Sequence, residues 1–345
     1  IESTERAKSE GSFNKPILIG VRTQCGNVYN EDGSRIFDDE GFPIDAKHKT
    51  RMVSMIDLEV IVSELIWAKP LQKFLGIHTP WYAGGKNDSM LLSAITDYRS
   101  RYKKWISLDY SKYDQSISSW LIYDAFEIIK SAFVDIYDDA LWNVIVNDFI
   151  HKVFIDGEGN LWQSHKGVPS GSMFTQIIDS VVNYLMILTY VISKGKRKDN
   201  FASLIMGDDN LVFINGVEKA DICSYLQKNF GIETNVVKTS EGLSKSDDPE
   251  FLSRFWRING PYRHPNILIC KLLFPERFRE YEKKDFSPEI VFYSYILAYR
   301  RGMMEAFDVD RFINDNKLSL SDEMLLKGRE HLPGYLGYVY SYGLV

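Results

Sequence analysis

Nine residues, Ile205-Met206-Gly207-Asp208-Asp209-Asn210-Leu211-Val212-Phe213, restrict the folds open to this chain more than any other stretch. Apolar, strand-like residues flank a glycine and two adjacent carboxylates. The pattern predicts a strand in, a tight turn at Gly207 and a strand out. Two acids held at a hairpin tip cannot be buried without a counter-charge. A divalent metal is the usual counter-charge at such a tip. The competing reading is a solvated turn, since Gly and Asp are common turn residues.

Other segments supply possible company for those acids. Asp109 closes the alternating stretch Trp105-Ile106-Ser107-Leu108-Asp109, and Asp114 follows five residues later. An acid at a strand end beside an acidic hairpin tip can share metal ions with it. Two divalent cations about 3.5–4 Å apart are the known device for in-line displacement at phosphorus. Asp109 could instead simply cap the next turn. Gly167-Val168-Pro169-Ser170-Gly171-Ser172-Met173-Phe174-Thr175 leads into a long apolar segment and predicts a strained loop at a helix start, where free N–H groups favour anions. Thr175, Asp179 and Asn183 are spaced i, i+4, i+8 and share a face. Such a polar stripe among Ile177, Ile178, Val181 and Val182 lines a site or finds partners on a neighbouring strand. Lys49 and Arg51 lie in a basic run that suits phosphoryl clamping, or a solvated loop.

The coarse pattern predicts loops over residues 1 to 50, with one short strand at Ile17–Val21. A helix is expected from Met55 to about Lys69, ended by Pro70, and another over Tyr123–Tyr137. Val153–Trp162 reads as a hairpin, Ser172 to about Val191 as a long helix, and Val217–Asn229 as an amphipathic helix. A strand is expected near Thr234–Val237, and mostly helix beyond Pro261. This order fits an α+β fold with helices on one face of an antiparallel sheet.

The succession of a basic strand, DxxxxD, SGxxxT on a helix and GDD resembles the palm motifs of viral RNA-dependent RNA polymerases. The run from Gly167 to Asn183 is most similar to the partitivirus enzymes, with picobirnavirus enzymes as near neighbours; the resemblance is dense from about Lys47 to about Arg254. It implies a right-hand polymerase, N-terminally incomplete. Fingers would take 1–104 and the insertion 118–165, the palm 105–117 and 166–260, and the thumb 261–345. It further implies that Asp109 and Asp208 ligate two Mg²⁺ ions (Mn²⁺ being an alternative), with Asp209 assisting, and that Asp114 selects the ribose 2′-OH. Ser170, Gly171 and Thr175 would hold nucleotide and template, and Lys49 and Arg51 the triphosphate. Lys238 would protonate the pyrophosphate leaving group, and Phe251-Leu252-Ser253-Arg254 would grip the primer strand. One departure stands out. The position four after the threonine, often Asn in these enzymes, is Asp179 here, with Asn183 one turn on; either could assist Asp114.

The expected partners are an RNA template and product duplex, NTPs and a viral capsid protein, with no membrane. The expected setting is host cytoplasm inside the virion of a double-stranded RNA virus. The net charge of -6 is the wrong sign for a nucleic-acid protein. That objection weakens if several acids bind metal and the bases cluster, as at Lys47–Arg51, Arg101–Lys104 and Lys194–Lys198, although each cluster also reads as a solvated face. Basic residues Lys271, Arg277, Arg279, Lys283 and Lys284 could line duplex RNA from the thumb. Cys25, Cys223 and Cys270 lie far apart, which argues against a disulfide framework or a structural zinc site. The apolar stretch Ile177–Ile192 is interrupted by Asp179, Ser180 and Asn183 and reads as a core helix rather than a bilayer span. The start at Ile1, with no charged-then-apolar pattern, reads as a fragment or processed chain without a signal peptide. Two other readings remain. A reverse transcriptase shares the two-metal palm but would place an aromatic before the paired acids and a bulky gate in place of Asp114. A non-catalytic RNA-binding protein on a decayed scaffold would not need all of these acids.

Overall fold

The computed structural model describes residues 2–25, 48–236 and 238–262. In chain order these form α1 (Glu2–Glu10), β1 (Ile17–Cys25), β2 (His48–Met55), α2 (Leu58–His78), α3 (Asp88–Arg101), β3 (Lys104–Ser107) and α4 (Tyr113–Ser116). Then come α5 (Ser119–Ser131), α6 (Asp139–Ile150), β4 (Val153–Ile155), β5 (Leu161–Gln163), α7 (Thr175–Ser193), β6 (Phe201–Met206), β7 (Asp209–Ile214) and α8 (Lys219–Phe230). Last are β8 (Ser240–Leu243), β9 (Glu250–Phe251), β10 (Arg254–Arg257) and β11 (Gly260–Tyr262). The chain divides into two compact units, one of residues 1–22, 52–86 and 93–252, the other of 23–51, 87–92 and 253–345.

The first unit is built on a four-stranded antiparallel sheet in the order β6-β7-β3-β8. β3 is central, and its Trp105 and Ile106 are both buried. The outer edge of β6 is covered, since Ala83 N–H donates to Ile205 O and Ile205 N–H to Trp81 O, at 2.8 Å each. A second sheet, β2-β1-β4-β5, contains a parallel pair, β1 with β4.

Helices form where apolar positions recur at helical spacing. In α5, Leu121, Ile122, Ala125, Phe126 and Ile129 are the buried positions. In α6, the Asp138 side chain caps the first turn by accepting from Leu141 N–H at 3.0 Å. Trp142 is fully buried and meets Trp67, Phe126 and Phe174 edge to face, joining α2, α5, α6 and the approach to α7 in one core. α7 is long and apolar enough to cross a membrane, yet most of it is buried within this unit.

Several expectations need correcting. Pro70 does not end its helix, because α2 runs through it to His78. Ile66, four residues before, is half exposed, so the carbonyl that loses its donor lies on the solvent side, while burial of Trp67, Ala68 and Leu71 secures the helix. The polar start is not all loop. α1 forms on Glu5–Lys8 pairing, a Lys8–Asp138 bridge and the buried Ala7. α5 stops at Ser131 rather than Tyr137. The strand expected at Thr234–Val237 is a single bridge from Thr234 to Tyr110, and the pairing strand is β8, from Ser240. Asn235 turns the chain there, accepting from Lys238 N–H and Thr239 N–H. The helices expected beyond Pro261 and the basic residues Lys271, Arg277, Arg279, Lys283 and Lys284 lie outside the described residues. Within the second unit, Arg254 pairs with Asp88 at 3.0 Å and lies over the Trp256 ring, and β10 pairs antiparallel with β11.

Candidate active site

The paired acids sit where the sequence predicts. β6 and β7 pair down to Met206 opposite Asp209, leaving Gly207 and Asp208 as a two-residue turn. Gly207 has φ +67° with open space around it, so the turn requires glycine for its backbone conformation and not for room. Asp208 and Asp209 are exposed.

Asp109 is brought to the same end of the sheet. β3 and β7 pair with Ile106 opposite Val212. Carried two residues on, that register sets Leu108 opposite Asn210. The fully buried Asn210 makes the junction. Its Oδ1 accepts from Leu108 N–H at 3.0 Å, and its Nδ2 donates to Leu108 O at 3.2 Å and Asp208 O at 3.1 Å. One side-chain amide therefore ties the residue before Asp109 to Asp208. Asp109 N–H also donates to Thr239 Oγ1 at 3.2 Å, and its carbonyl accepts from Asn235 N–H at 2.7 Å. The predicted roles overlooked Asn210; an asparagine directly after two acids, inside an apolar strand, was the available signal.

The polar stripe of α7 packs behind the tip. Ser180 Oγ accepts from Gly207 N–H at 2.8 Å. Asn183 Nδ2 donates to Gly207 O at 3.0 Å and Asp208 O at 3.3 Å, and its Oδ1 accepts from Tyr110 Oη at 2.8 Å. Asn183 is fully buried, and these bonds hold the hairpin. Tyr110 stacks on Tyr113 at 4.7 Å, and Tyr113 Oη donates to Asp179 O at 3.0 Å. Asp179 is 4% exposed, and its Oδ1 has no hydrogen-bond partner among the described residues. Burial first, then the nearby charges of Asp114 and Asp208, push its carboxyl well above the ordinary aspartate range. Asp179, Asp114 and Asp208 thus share one electrostatic neighbourhood.

The loop into α7 is tightly held. A Cβ on Gly167 would lie 2.7 Å from Asp114 O, and Val168 N–H donates to that same carbonyl at 2.6 Å. The buried Lys152 donates to Gly167 O at 2.6 Å, and burial pushes its ammonium down to about 8. Ser170, itself exposed, accepts from Ser54 N–H at 3.0 Å. A Cβ on Gly171 would lie 2.1 Å from Ser54 O, so only glycine lets loop and strand approach there. Thr175 Oγ1 donates to Pro169 O at 2.5 Å. The buried Glu64 of α2, absent from the predicted site, accepts from Ser172 Oγ at 2.7 Å and Met173 N–H at 2.8 Å.

The remaining predicted residues are carried by other elements. Lys238 is exposed on the Asn235 turn. Lys49 and Arg51 lie on β2 within the second compact unit, and Arg51 is exposed. Leu252 and Ser253 both have positive φ, 56° and 55°, as a two-residue I′ turn requires. Among the described residues no three His, Cys, Asp or Glu side chains converge as a ready-made metal cage. Mg²⁺ does not need one, because it binds through one or two carboxylates and completes its shell with water and phosphate oxygens. The hard oxygen donors of Asp109 and Asp208, at one strand end and a solvent-open tip, fit that requirement.

Residues 43–266 match the family model described as viral RNA-dependent RNA polymerase. The chain is 27% identical over 227 residues to the genome polyprotein of human parechovirus 5 (strain CT86-6760), covering 61% of this chain and 10% of that one. It is 30% identical over 200 residues to the RNA-directed RNA polymerase of Cryptosporidium parvum virus 1 (strain KSU-1), covering 52% of this chain and 35% of that protein. The chain therefore spans about a third or less of the length of these relatives. The crystal structure of the RNA-dependent RNA polymerase of a human picorbirnavirus superposes with a TM-score of 0.67 at 16% identity, over 96% of this chain and 60% of that one. That likeness shows the fold, an α+β right-hand architecture.

Proposed function

The chain belongs to the viral RNA-dependent RNA polymerase family, and we propose from that premise that it joins NTPs to an RNA 3′-OH on an RNA template, in viral genome replication and transcription. The carrying observation is the Asn210 junction, which ties the strand end before Asp109 to Asp208. Asp109 and Asp208 would hold two Mg²⁺ ions, with Asp209 as the accessory acid. When bound, the ions activate the attacking 3′-hydroxyl and stabilise charge on the transferring phosphoryl and leaving pyrophosphate.

The chain's own residues orient the reactants. Asp114 accepts the 2′-OH of the incoming nucleotide, beside the carboxyl of Asp179. Ser170, Gly171 and Thr175 support nucleotide and template from the loop that enters α7. Lys49 and Arg51 clamp the triphosphate, and Lys238 supplies the proton to pyrophosphate. Base pairing supplies sequence, so the groove needs shape and backbone contacts instead of base-reading side chains. RNA template, product duplex and a capsid protein are the proposed partners, inside a virion in host cytoplasm.

The test is extension of primed RNA by the full chain with labelled NTPs and Mg²⁺. Product should form, should vanish in Asp208→Ala and on chelation, and should persist in a variant of an exposed acid elsewhere, Asp135→Ala. Undiminished extension by Asp208→Ala would overturn the proposal. A preference for dNTPs would move the assignment to reverse transcription.

A further inference from the structure

α7 begins without a cap of its own: its N-cap residue, Phe174, offers no side-chain hydrogen bond. Helix starts leave backbone N–H groups that need partners. Here the partners come from another element. Glu64 Oε2 accepts from Met173 N–H at 2.8 Å, Glu64 Oε1 from Ser172 Oγ at 2.7 Å, and Ser172 Oγ from Phe174 N–H at 3.0 Å. Glu64 comes from the middle of α2, 108 residues before Ser172, and is 2% exposed. A carboxylate at the N-terminus of a helix is also favoured by the helix dipole. Two to three turns further on, Ser180 and Asn183 of the same helix grip Gly207 and Asp208.

We infer that Glu64 is a positioning residue for chemistry at the hairpin tip: it fixes the first turn of α7 through Ser172 and Met173, and α7 in turn fixes Asp208. The inference rests on the polymerase reading. Ionised Glu64 makes two charge-assisted bonds. Protonated Glu64 keeps only weaker neutral ones, about half as strong. Burial pushes its carboxyl up to about 7, against the pull of its two hydrogen bonds, so the exchange between these states falls in the physiological range.

Other ionisable groups line the same cavity of about 250 Å³: Lys15, Asp148, His151 and Lys152. None forms an ion pair with Glu64 among the described residues. Lys15 is paired with Asp57 and Glu59. Asp148 accepts from Phe13 N–H, and burial raises its carboxyl. His151 shares a 2.8 Å contact with His165. Lys152, pushed down to about 8, acts on the alkaline side, since losing its proton weakens the bond to Gly167 O. An acid-side limb therefore separates Glu64 from Lys152, and His151→Gln separates it from the histidine pair.

The experiment follows kcat and KM for NTP in primed extension from pH 5.5 to 8.5, alongside hydrogen-exchange protection of the Met173 and Phe174 amides. In the native chain, kcat should fall about three- to tenfold from pH 8 to pH 6 with KM little changed, and Met173 exchange through local opening, with Glu64 still buried, should quicken on the same titration while global stability rises. Glu64→Gln should show low Met173 protection at every pH and no acid limb. Ser172→Ala, which removes one donor and no charge, should retain the limb at reduced amplitude, and His151→Gln should leave it intact. An acid limb that survives in Glu64→Gln, or Met173 protection equal in the two proteins, would overturn the inference. A chain with no extension activity at all would refute the polymerase reading instead, and the exchange data would still decide whether Glu64 holds the helix.

Discussion

Replacing Asn183 by leucine tests how the hairpin tip is held. The two side chains branch at the same carbon and leucine is the larger, so the change removes polarity without opening a cavity. Three bonds are lost: Tyr110 Oη to Oδ1 at 2.8 Å, and Nδ2 to Gly207 O at 3.0 Å and Asp208 O at 3.3 Å. At about 1 kcal/mol net for each, plus about 1–3 kcal/mol for leaving the buried Tyr110 hydroxyl unpaired, the loss comes to about 4–6 kcal/mol. A freed tip also misplaces Asp208, and a shift of about 1 Å at a reacting centre can cost about 10²-fold in rate. Denaturant unfolding gives the stability, and primed extension gives kcat. In a double-mutant cycle, Tyr110→Phe should destabilise the native chain but cost nothing further once Asn183 is leucine, a coupling of about 1–2 kcal/mol. The reasoning is refuted if kcat stays within twofold while stability falls, or if the two substitutions are additive.

Asp114→Ala should narrow the preference for ribonucleotides over deoxyribonucleotides in single-nucleotide extension; an unchanged ratio removes that role from Asp114. Glu64 also has a stability signature. Its folded carboxyl sits near 7 against an ordinary value of 4.5, so its contribution is fully present below about 4.5 and is lost as pH rises through 7, amounting to about 3 kcal/mol by pH 8. Glu64→Gln should therefore unfold with a midpoint less sensitive to pH between 5 and 8 than the native chain; equal slopes would contradict the burial argument.

The acidic hairpin was legible because its signals are local: period-two apolar residues around a glycine that must take positive φ. Asp109 could be placed because a strand-end acid follows from the same alternation. The spacing of Thr175, Asp179 and Asn183 correctly put three polar groups on one face of α7, but not what each would meet there. That depends on partners remote in sequence: Tyr110 and the tip carbonyls for Asn183, and the charges of Asp114 and Asp208 for Asp179. Glu64 was invisible for the same reason, since a lone acid in an apolar helix carries no mark of a partner 108 residues away. Pro70 misled because propensity argues for a break, whereas packing of the helix around it decides otherwise. The Thr234–Val237 strand misled because β-branched residues suggest pairing that a turn at Asn235 prevents.

The sheet order β6-β7-β3-β8 has a consequence for how the protein is made. β3 ends at Ser107, but the strands on either side of it begin only at Asp209 and Ser240. A ribosome that has delivered the chain only as far as Asp208 has produced Asp109 on a strand with neither neighbour. Closing those long loops must precede any reward from pairing. The sheet therefore closes late, after β8 has emerged, and a nascent chain cut short before β7 carries Asp109 without the strands that align it.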